Sequence, residues 1–539
     1  MIDKFVSMKL DSQAWHKMRN YTPEKLILAR QVLEEVRAGR KVVEAVGRYP
    51  LPEGGYIGKH ILVAVYRQLT ESGEWLADPE LLARIRMKPV RTLSGVTTVT
   101  VLTKPYPCPG NCVFCPTDVL MPKSYVPDEP GARRALEHNF DPYDQVLTRL
   151  EALEAVGHPT DKVELLVLGG TWSAYPTDYQ EWFIRRCLDA LNGVDSKNLE
   201  EAQKLNETAL HRNVGLVVEI RPDFIDPSEL VWLRRLGVTK VQMGVQSLDD
   251  RILELNQRGH SVGDSLNAID LLRAGGYKIV LHWMPNLLGA TPETDRVDFQ
   301  RLWVDFCPDE IKIYPNQLLE STELFRFWQR GEYQPYTTTQ LIELIADVKE
   351  TIPRYCRVNR VIRDIPSTYV IAGNKRTSLR QDIHAEMQLR GKTCRCIRCR
   401  EVRNRKVDPE TLTLNDQVYT TSNTEEHFLS FDTPEDRLAG FLRLSLPGAS
   451  APQTGIDELA GAAIIREVHV YGQSLPVGSE ENGAAQHIGL GARMIRRAEE
   501  IAQARGFQRL AVISAIGTRM YYLRQGFVLG DLYMGKNLD

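Results

Sequence analysis

The sequence predicts an α/β protein, and three observations carry that reading. Apolar strand-like runs alternate with amphipathic helical runs between residues 96 and 345. A separate strand–helix–strand pattern fills the chain from residue 411 onward. The first 95 residues show helical rather than alternating apolar spacing. Alternation of apolar strands with helices signals a parallel sheet covered by its crossovers. Periodicity alone leaves a barrel and a doubly wound sheet both open.

Each element follows from its residues. YTPEKLILARQVLEEVRAG and PELLARIRMK have helical apolar spacing, and LPEGGYIGKH between them is punctuated by turn formers. Six strands are expected next: 96–104, 163–170, 214–220, 238–245, 277–284 and 310–315, with helices such as DYQEWFIRRCLDAL and SLNAIDLLRAGG between them. Residues 346–410 form an arginine- and cysteine-rich linker. In the tail, HFLSFD, RLAGFLRLSL, AAIIREVHV and LAVISAI read as strands, with one long helix over 489–504.

Length and composition limit the functions available. At 539 residues the chain exceeds one ordinary domain of roughly 150 residues. No apolar run approaches the about 18 residues a membrane span needs, and the start lacks a signal-peptide core, so a cytoplasmic location is expected. The net charge of -3 argues against a uniformly basic nucleic-acid binder. Charge is uneven, however. Lys17, Arg19, Lys25, Arg30, Arg37, Arg40 and Lys41 bias the start, and Arg354, Arg357, Arg360, Arg363, Lys375, Arg376 and Arg380 face only Asp364. Residues 394–406 add six basic side chains against Glu401. Such a segment either attracts phosphates or forms a solvated face.

Of nine cysteines, six fall in two tight groups, which in a chain without a secretory start suggests metal ligation over disulfides. Cys187, inside a helical run, reads as a small buried hydrophobe. Cys108, Cys112 and Cys115, in KPYPCPGNCVFCPTD, follow the first α/β strand. Their spacing lets one loop present three soft thiolates to an iron–sulfur cluster. Three ligands leave one iron of a [4Fe-4S] cluster open to the amino and carboxylate groups of S-adenosylmethionine; a structural zinc site is the competing reading. CPGNCVFC resembles the signature loop of the radical S-adenosylmethionine superfamily, which implies a partial (β/α) barrel over 96–345. On that resemblance Gly169, Gly170 and Thr171 match a methionyl contact, although Thr171 stands where an acid is common. Glu219, Arg221 and Gln246, near later strand ends, match contacts to the ribose and carboxylate. Each could equally cap a helix or order a loop.

The tail carries a second motif. Gln486, His487, Gly489 and Gly491 open the long helix, where free amides and the helix dipole suit a pyrophosphate. Following AAIIREVHV, which ends at Val470, and preceding SAIGTRMYYLRQGF, this order resembles the Gcn5-related acetyltransferase (GNAT) fold. The resemblance implies acetyl-CoA binding by these residues with Val470, Tyr521 and Tyr522, though a YY pair is also ordinary helix packing.

Cys394, Cys396 and Cys399 favour a structural zinc, with Cys307 as the expected fourth ligand and His384 and Cys356 as competitors. Taken whole, the chain resembles the Elongator catalytic subunit family in a stand-alone prokaryotic form, through RTLSGVTTVTVLTKPYPCPGNCVFCP, VVEIRPD, DEIKIYP, REVHVYG, AAQHIGLG and SAIGTRMYYLRQGF. That implies a helical, basic tRNA-binding region at 1–95, a radical barrel at 96–345, a zinc-binding linker at 346–410 and a GNAT-like domain at 411–539. It also implies carboxymethylation at C5 of wobble uridine 34 by an acetyl-derived radical. Lys312 and Tyr522 are the candidate catalytic side chains, and His282 and Tyr314 are, with Lys312, possible residues of the barrel pocket. The implied partners are a tRNA anticodon stem-loop, acetyl-CoA, an external electron donor and, as an option, a second copy of the chain. Lysine acetylation of protein, or an RNA-binding scaffold with structural cofactor sites, are the alternatives.

Overall fold

A computed structural model describes residues 21–89, 92–403, 405, 407–472 and 489–538. The N-terminal helices Pro23–Arg37, Val42–Gly47, Lys59–Glu71 and Pro79–Ile85 form from the apolar spacing noted above. Thr22 and Asp78 cap two of them ahead of a first-turn proline. They pack around a core of their own that includes Val32, Leu33, Leu62 and Tyr66.

Seven parallel strands follow: β1 Thr97–Leu102, β2 Lys162–Leu168, β3 Arg212–Ile220, β4 Lys240–Gln246, β5 Lys278–Trp283, β6 Glu310–Ile313 and β7 Arg357–Arg360. They pair in that order, and β1 and β7 are the two edges, so the sheet curls into a partial barrel without closing. The six expected strands are present within a few residues. The seventh comes from the segment read as linker: Glu310, Ile311 and Lys312 pair with Arg357, Val358 and Arg360. Four polar-rich residues, RVNR, carry no strand signal by composition; pairing with β6 makes them one. Helices such as Pro142–Glu154, Thr177–Asn192 and Val262–Ala274 cover the outside of the sheet. Cys187 is fully buried in the second of these.

The C-terminal sheet contains β8 Thr413–Thr420, β9 Thr424–Asp432, β10 Leu438–Pro447, β11 Ala462–Val470, β12 Arg509–Val512, β13 Val528–Leu529 and β14 Met534–Asn537. Its order is β8-β9-β10-β11-β12-β14-β13, antiparallel except where β11 meets β12. Those two pair only over Ala462–Ile465 and Arg509–Val512, and beyond Ile465 they part. The long helix Leu490–Ala504 buries Leu490, Met494, Ile495, Ala498, Ile501 and Ala502, the stripe its spacing requires. Barrel and C-terminal domain share one continuous hydrophobic core. No helix among the described residues is long and apolar enough to cross a membrane.

Candidate functional site

The loop after β1 carries Cys108, Cys112 and Cys115 at the C-terminal edge of the barrel, where ligands gather in parallel barrels. Its apolar residues Val113 and Phe114 are buried against Leu287, Leu288 and Leu324, which anchors the loop and aims its thiols. The Cys112 sulfur accepts a hydrogen bond from Arg258 Nη1 at 3.1 Å, and Cys108 accepts one from the Gly110 amide at 3.5 Å. A hydrogen bond with Cys115, then the Arg258 and Arg221 charges, lowers the Cys112 pKa against the cost of burial. The same contact and burial raise that of Cys115. Among the described residues, the three sulfurs that close to within 4.8 Å of one another are those of Cys394, Cys396 and Cys399. A single tetrahedral zinc needs that closeness; thiolates on separate irons of a cube do not.

Neighbouring strand ends supply unmet polar groups. Arg221 is held by Asp223 through bonds of 2.9 and 3.0 Å, yet its Nη1 is buried without a partner. A Cβ on Gly110 would stand 2.2 Å from that nitrogen, so any larger residue there would push the Arg221 guanidinium aside. Gln246 adopts φ +72°, and its Oε1 is likewise buried and unpartnered. Gly169 (φ +134°) packs so tightly on Thr103 that a Cβ would lie 1.9 Å from its Oγ1. Thr171 Oγ1 lies 3.9 Å from the Cys108 sulfur. These orphaned groups beside three thiols fit a cluster with a polar organic ligand on its open iron.

From this edge a cavity of about 1270 Å³ extends through the barrel to the C-terminal domain. Cys115, Gln246, Glu219, Gln242, His282, Lys312 and Tyr314 line one part, and Lys240, Lys278 and Glu310 another. An ordinary barrel interior is packed with branched apolar residues. Here Lys312 donates to Gln242, whose Oε1 is also 3.2 Å from His282 Nε2. Burial pushes the Lys312 ammonium down to about 8, against the pull of Glu219. Burial also raises the Glu219 carboxyl, which accepts from the Tyr125 hydroxyl at 3.3 Å, and leaves His282 neutral. Glu219 therefore faces the cavity polar network, with Tyr125 and His282 as neighbours.

The far wall is the splay between β11 and β12: Glu467, Val468, His469, Val512, Ile513 and Tyr522 line the same cavity. Lys278 bridges barrel and tail, 2.7 Å from Glu310 and bonded to Glu467. Tyr522 is buried and its hydroxyl is held protonated by burial. Tyr521 is half-buried, its ring 5.3 Å from that of Tyr522. Gly489 caps the long helix at φ +69°, and a Cβ on Gly491 would approach the Tyr521 hydroxyl to 2.5 Å. Val470 ends β11 next to cavity-lining His469 and Tyr471. Gln486 and His487 lie outside the described residues.

Two expectations need correction. Cys307 does not join the second cysteine group: in a left-handed turn (φ +44°), its thiol donates to the Trp303 carbonyl at 3.3 Å. Nor do the linker arginines form one open basic face. Arg354 and Arg400 pair with Asp432 and Asp436, Arg357 with Glu401, and Arg363 with Glu129. Arg380 and Arg398 instead donate to backbone carbonyls beside β7 and, with Arg403, line the cavity rim. Burial and mutual repulsion hold the Arg380 pKa down to about 10. Arg258, Lys278 and Glu467 carry no motif and were not among the expected site residues; only their placement in three dimensions reveals them.

The Radical SAM superfamily profile matches residues 106–299, and the Radical SAM C-terminal domain profile matches 308–389. The chain is 45% identical over 455 residues to a tRNA uridine(34) acetyltransferase of Dehalococcoides mccartyi, covering 83% of this chain and 99% of that one. It is 37% identical over 478 residues to Elongator complex protein 3 of Homo sapiens, covering 85% and 87%. A solved structure of Methanocaldococcus infernus Elp3 with its N-terminus deleted superposes with a TM-score of 0.72 at 39% identity, over 83% of this chain and all of that one.

Proposed function

The chain belongs to the family of tRNA uridine(34) acetyltransferases and Elongator complex protein 3, and from that premise we propose that it builds a carboxymethyl group on C5 of wobble uridine 34 in tRNA. The single observation that carries this reading is the continuous cavity. The cluster loop through Cys115 and the acyl side through Tyr522 line one space rather than two. An enzyme that only acylated an amine would have no use for a cysteine loop that reaches the same chamber through Cys115.

Cys108, Cys112 and Cys115 would hold the [4Fe-4S] cluster, with Arg258 donating to the Cys112 sulfur. Gly169, Gly170, Thr171, Arg221 and Gln246 would seat S-adenosylmethionine through exposed backbone and the unpartnered Nη1 and Oε1. When bound and reduced by an external donor, these cofactors would supply a 5′-deoxyadenosyl radical able to take a hydrogen atom from the acetyl methyl group. The acetyl-derived radical would add to C5; the adduct would then give up one electron to the oxidised cluster and its C5 proton to a base, and hydrolysis of the thioester would leave a carboxymethyl group. A radical route suits C5 of uracil, which is not acidic.

The chain's own residues orient and shield these partners. The N-terminal turn of helix Leu490–Ala504, with Gly489 and Gly491, would take the CoA pyrophosphate, and the parted strands would receive the pantetheine arm. Lys312, near its titration midpoint, can hold or release a proton beside Gln242 and His282. Arg380, Arg398 and Arg403 at the rim, with the N-terminal helices, suit the phosphates of an anticodon loop whose base is turned inward. Cys394, Cys396 and Cys399 would hold zinc next to β7.

Anaerobic protein supplied with S-adenosylmethionine, labelled acetyl-CoA and unmodified tRNA should place the label on uridine 34, read by nucleoside mass spectrometry. Cys112→Ser should abolish that labelling while retaining acetyl-CoA affinity. Labelling at the unmodified rate by folded, cluster-free variant would sink the radical route.

A further inference from the structure

Lys349, in the last turn of helix Thr338–Glu350, is fully buried. Its ammonium has no hydrogen-bond partner among the described residues. A buried, unpaired charge costs several kcal/mol by Born-type desolvation, so a lysine left this way calls for an anion. The acids nearest it in sequence are engaged elsewhere: Asp347 and Glu350 pair with Lys392 at 3.2 and 3.0 Å, and Asp347 also with Arg390. What Lys349 faces electrostatically is the thiol trio, since its charge acts on Cys394, Cys396 and Cys399 alike, and on the His384 imidazole.

The trio explains the lysine. Its three sulfurs close to within 4.8 Å of one another, and no described histidine, aspartate or glutamate joins them at that spacing. Cys307 is turned away. Zinc binding would release the thiol protons, and one divalent ion with three thiolates leaves a net charge of minus one in a partly buried site. The Lys349 ammonium offsets that surplus from the buried side, while the Arg380 and Arg398 charges act on the same thiols from partly exposed positions.

We infer that Lys349 is a buried counter-charge of a three-thiolate metal centre, acting on its sulfurs through its positive charge. This rests on reading the trio as a metal site. Lys349 touches no substrate and is a positioning residue for the centre. Groups that orient metal ligands from outside typically change metal affinity by about 10–100-fold when removed.

The test uses the full chain with zinc alone as probe. Zinc content is measured by elemental analysis, and affinity by competition with a chromogenic chelator. Lys349→Met should bind zinc about 10–100-fold more weakly, and Lys349→Arg should hold it close to the unmodified level. Cys394→His removes one negative charge from the centre, so in that background Lys349→Met should cost much less. That cycle separates charge compensation from general damage to folding, which would lower affinity equally in both backgrounds. Cobalt substitution should give the absorption of a centre with three thiolates. Unmodified protein that binds no zinc would overturn the metal reading itself. Zinc held equally well by Lys349→Met, or lost equally in both backgrounds, would overturn the role of Lys349 while leaving the metal site standing.

Discussion

Asp309 at the foot of the barrel and Arg466 of the C-terminal sheet are joined by two hydrogen bonds of 2.7 Å, both side chains fully buried. Arg466 is the extra residue where the pairing of β10 with β11 shifts register, which lets its side chain turn toward the barrel. Glu426 accepts from the same guanidinium at 2.8 Å, and Arg443 reaches Glu467 and the Tyr355 carbonyl. The joint is thus an ion network sealed in the shared core, and it fixes the splayed strands against the barrel cavity.

Asp309→Asn should destabilise the protein by about 3–5 kcal/mol, because Arg466 and Arg443 would be left as buried charges short of an anion. Burial opposes the Asp309 charge, but Arg466 and Arg443 hold its carboxyl far below the ordinary range. Such a depressed acid contributes stability that is present above about pH 3.9 and is lost as pH falls below it. Urea unfolding at several pH values checks both points. The variant should be less stable near neutrality and lose less on acidification than the unmodified chain.

The opposite sign is expected at Asp295. Burial pushes its carboxyl up to about 7, although it accepts from the Asn286 amide and the Tyr336 hydroxyl, each at 2.9 Å. It thereby holds the loop whose Leu287 and Leu288 pack on Val113 of the cluster loop. A raised acid keeps a proton that the unfolded chain has released. Stability should therefore fall as pH rises from about 4 through about 7, by roughly 4 kcal/mol at most. Asp295→Asn should flatten that slope in denaturant titrations; an unchanged slope would assign it to other groups.

The strand pattern and both cysteine groups were legible in the sequence because each rests on local spacing. The seventh strand was not, since RVNR becomes a strand only by pairing with Glu310–Lys312. Arginine-rich composition likewise could not separate Arg400, sealed against Asp432, from Arg403 at the cavity rim. Cys307 had the right chemistry and the wrong direction, set by a left-handed backbone that composition does not encode. Ionic partners distant in sequence, such as Lys278 and Glu467, leave no periodic trace.

That division among arginines is testable. Replacing Arg398 and Arg403 by alanine should weaken tRNA binding and reduce the salt slope by about two, one for each phosphate no longer neutralised. Arg400→Ala should instead lower thermal stability, because Asp432 loses a buried partner, with little effect on the slope. Binding titrations across salt concentration, paired with melting curves, separate the two classes. Equal slopes in all variants would make the rim arginines a solvated face.

Tyr522 and Tyr521 should differ in the same way at the proposed acyl site. Tyr522 is buried and lines the shared cavity, and its hydroxyl stays protonated. It can therefore donate to a thioester oxygen, a kind of contact worth roughly 10²–10³-fold in rate where it stabilises developing charge. Tyr521 lies against Gly491 at the helix mouth, away from the lining of that cavity. Tyr522→Phe should keep acetyl-CoA affinity and slow label transfer to tRNA by one to three orders of magnitude, on the order of that contact's worth. Tyr521→Phe should change the rate little. Gly491→Leu should act earlier, displacing the Tyr521 ring and obstructing the pyrophosphate turn, so that acetyl-CoA affinity falls while the iron content is unchanged. Calorimetric binding, iron analysis and single-turnover labelling on the three variants would resolve these roles. Full label transfer by Tyr522→Phe would remove that hydroxyl from the chemistry.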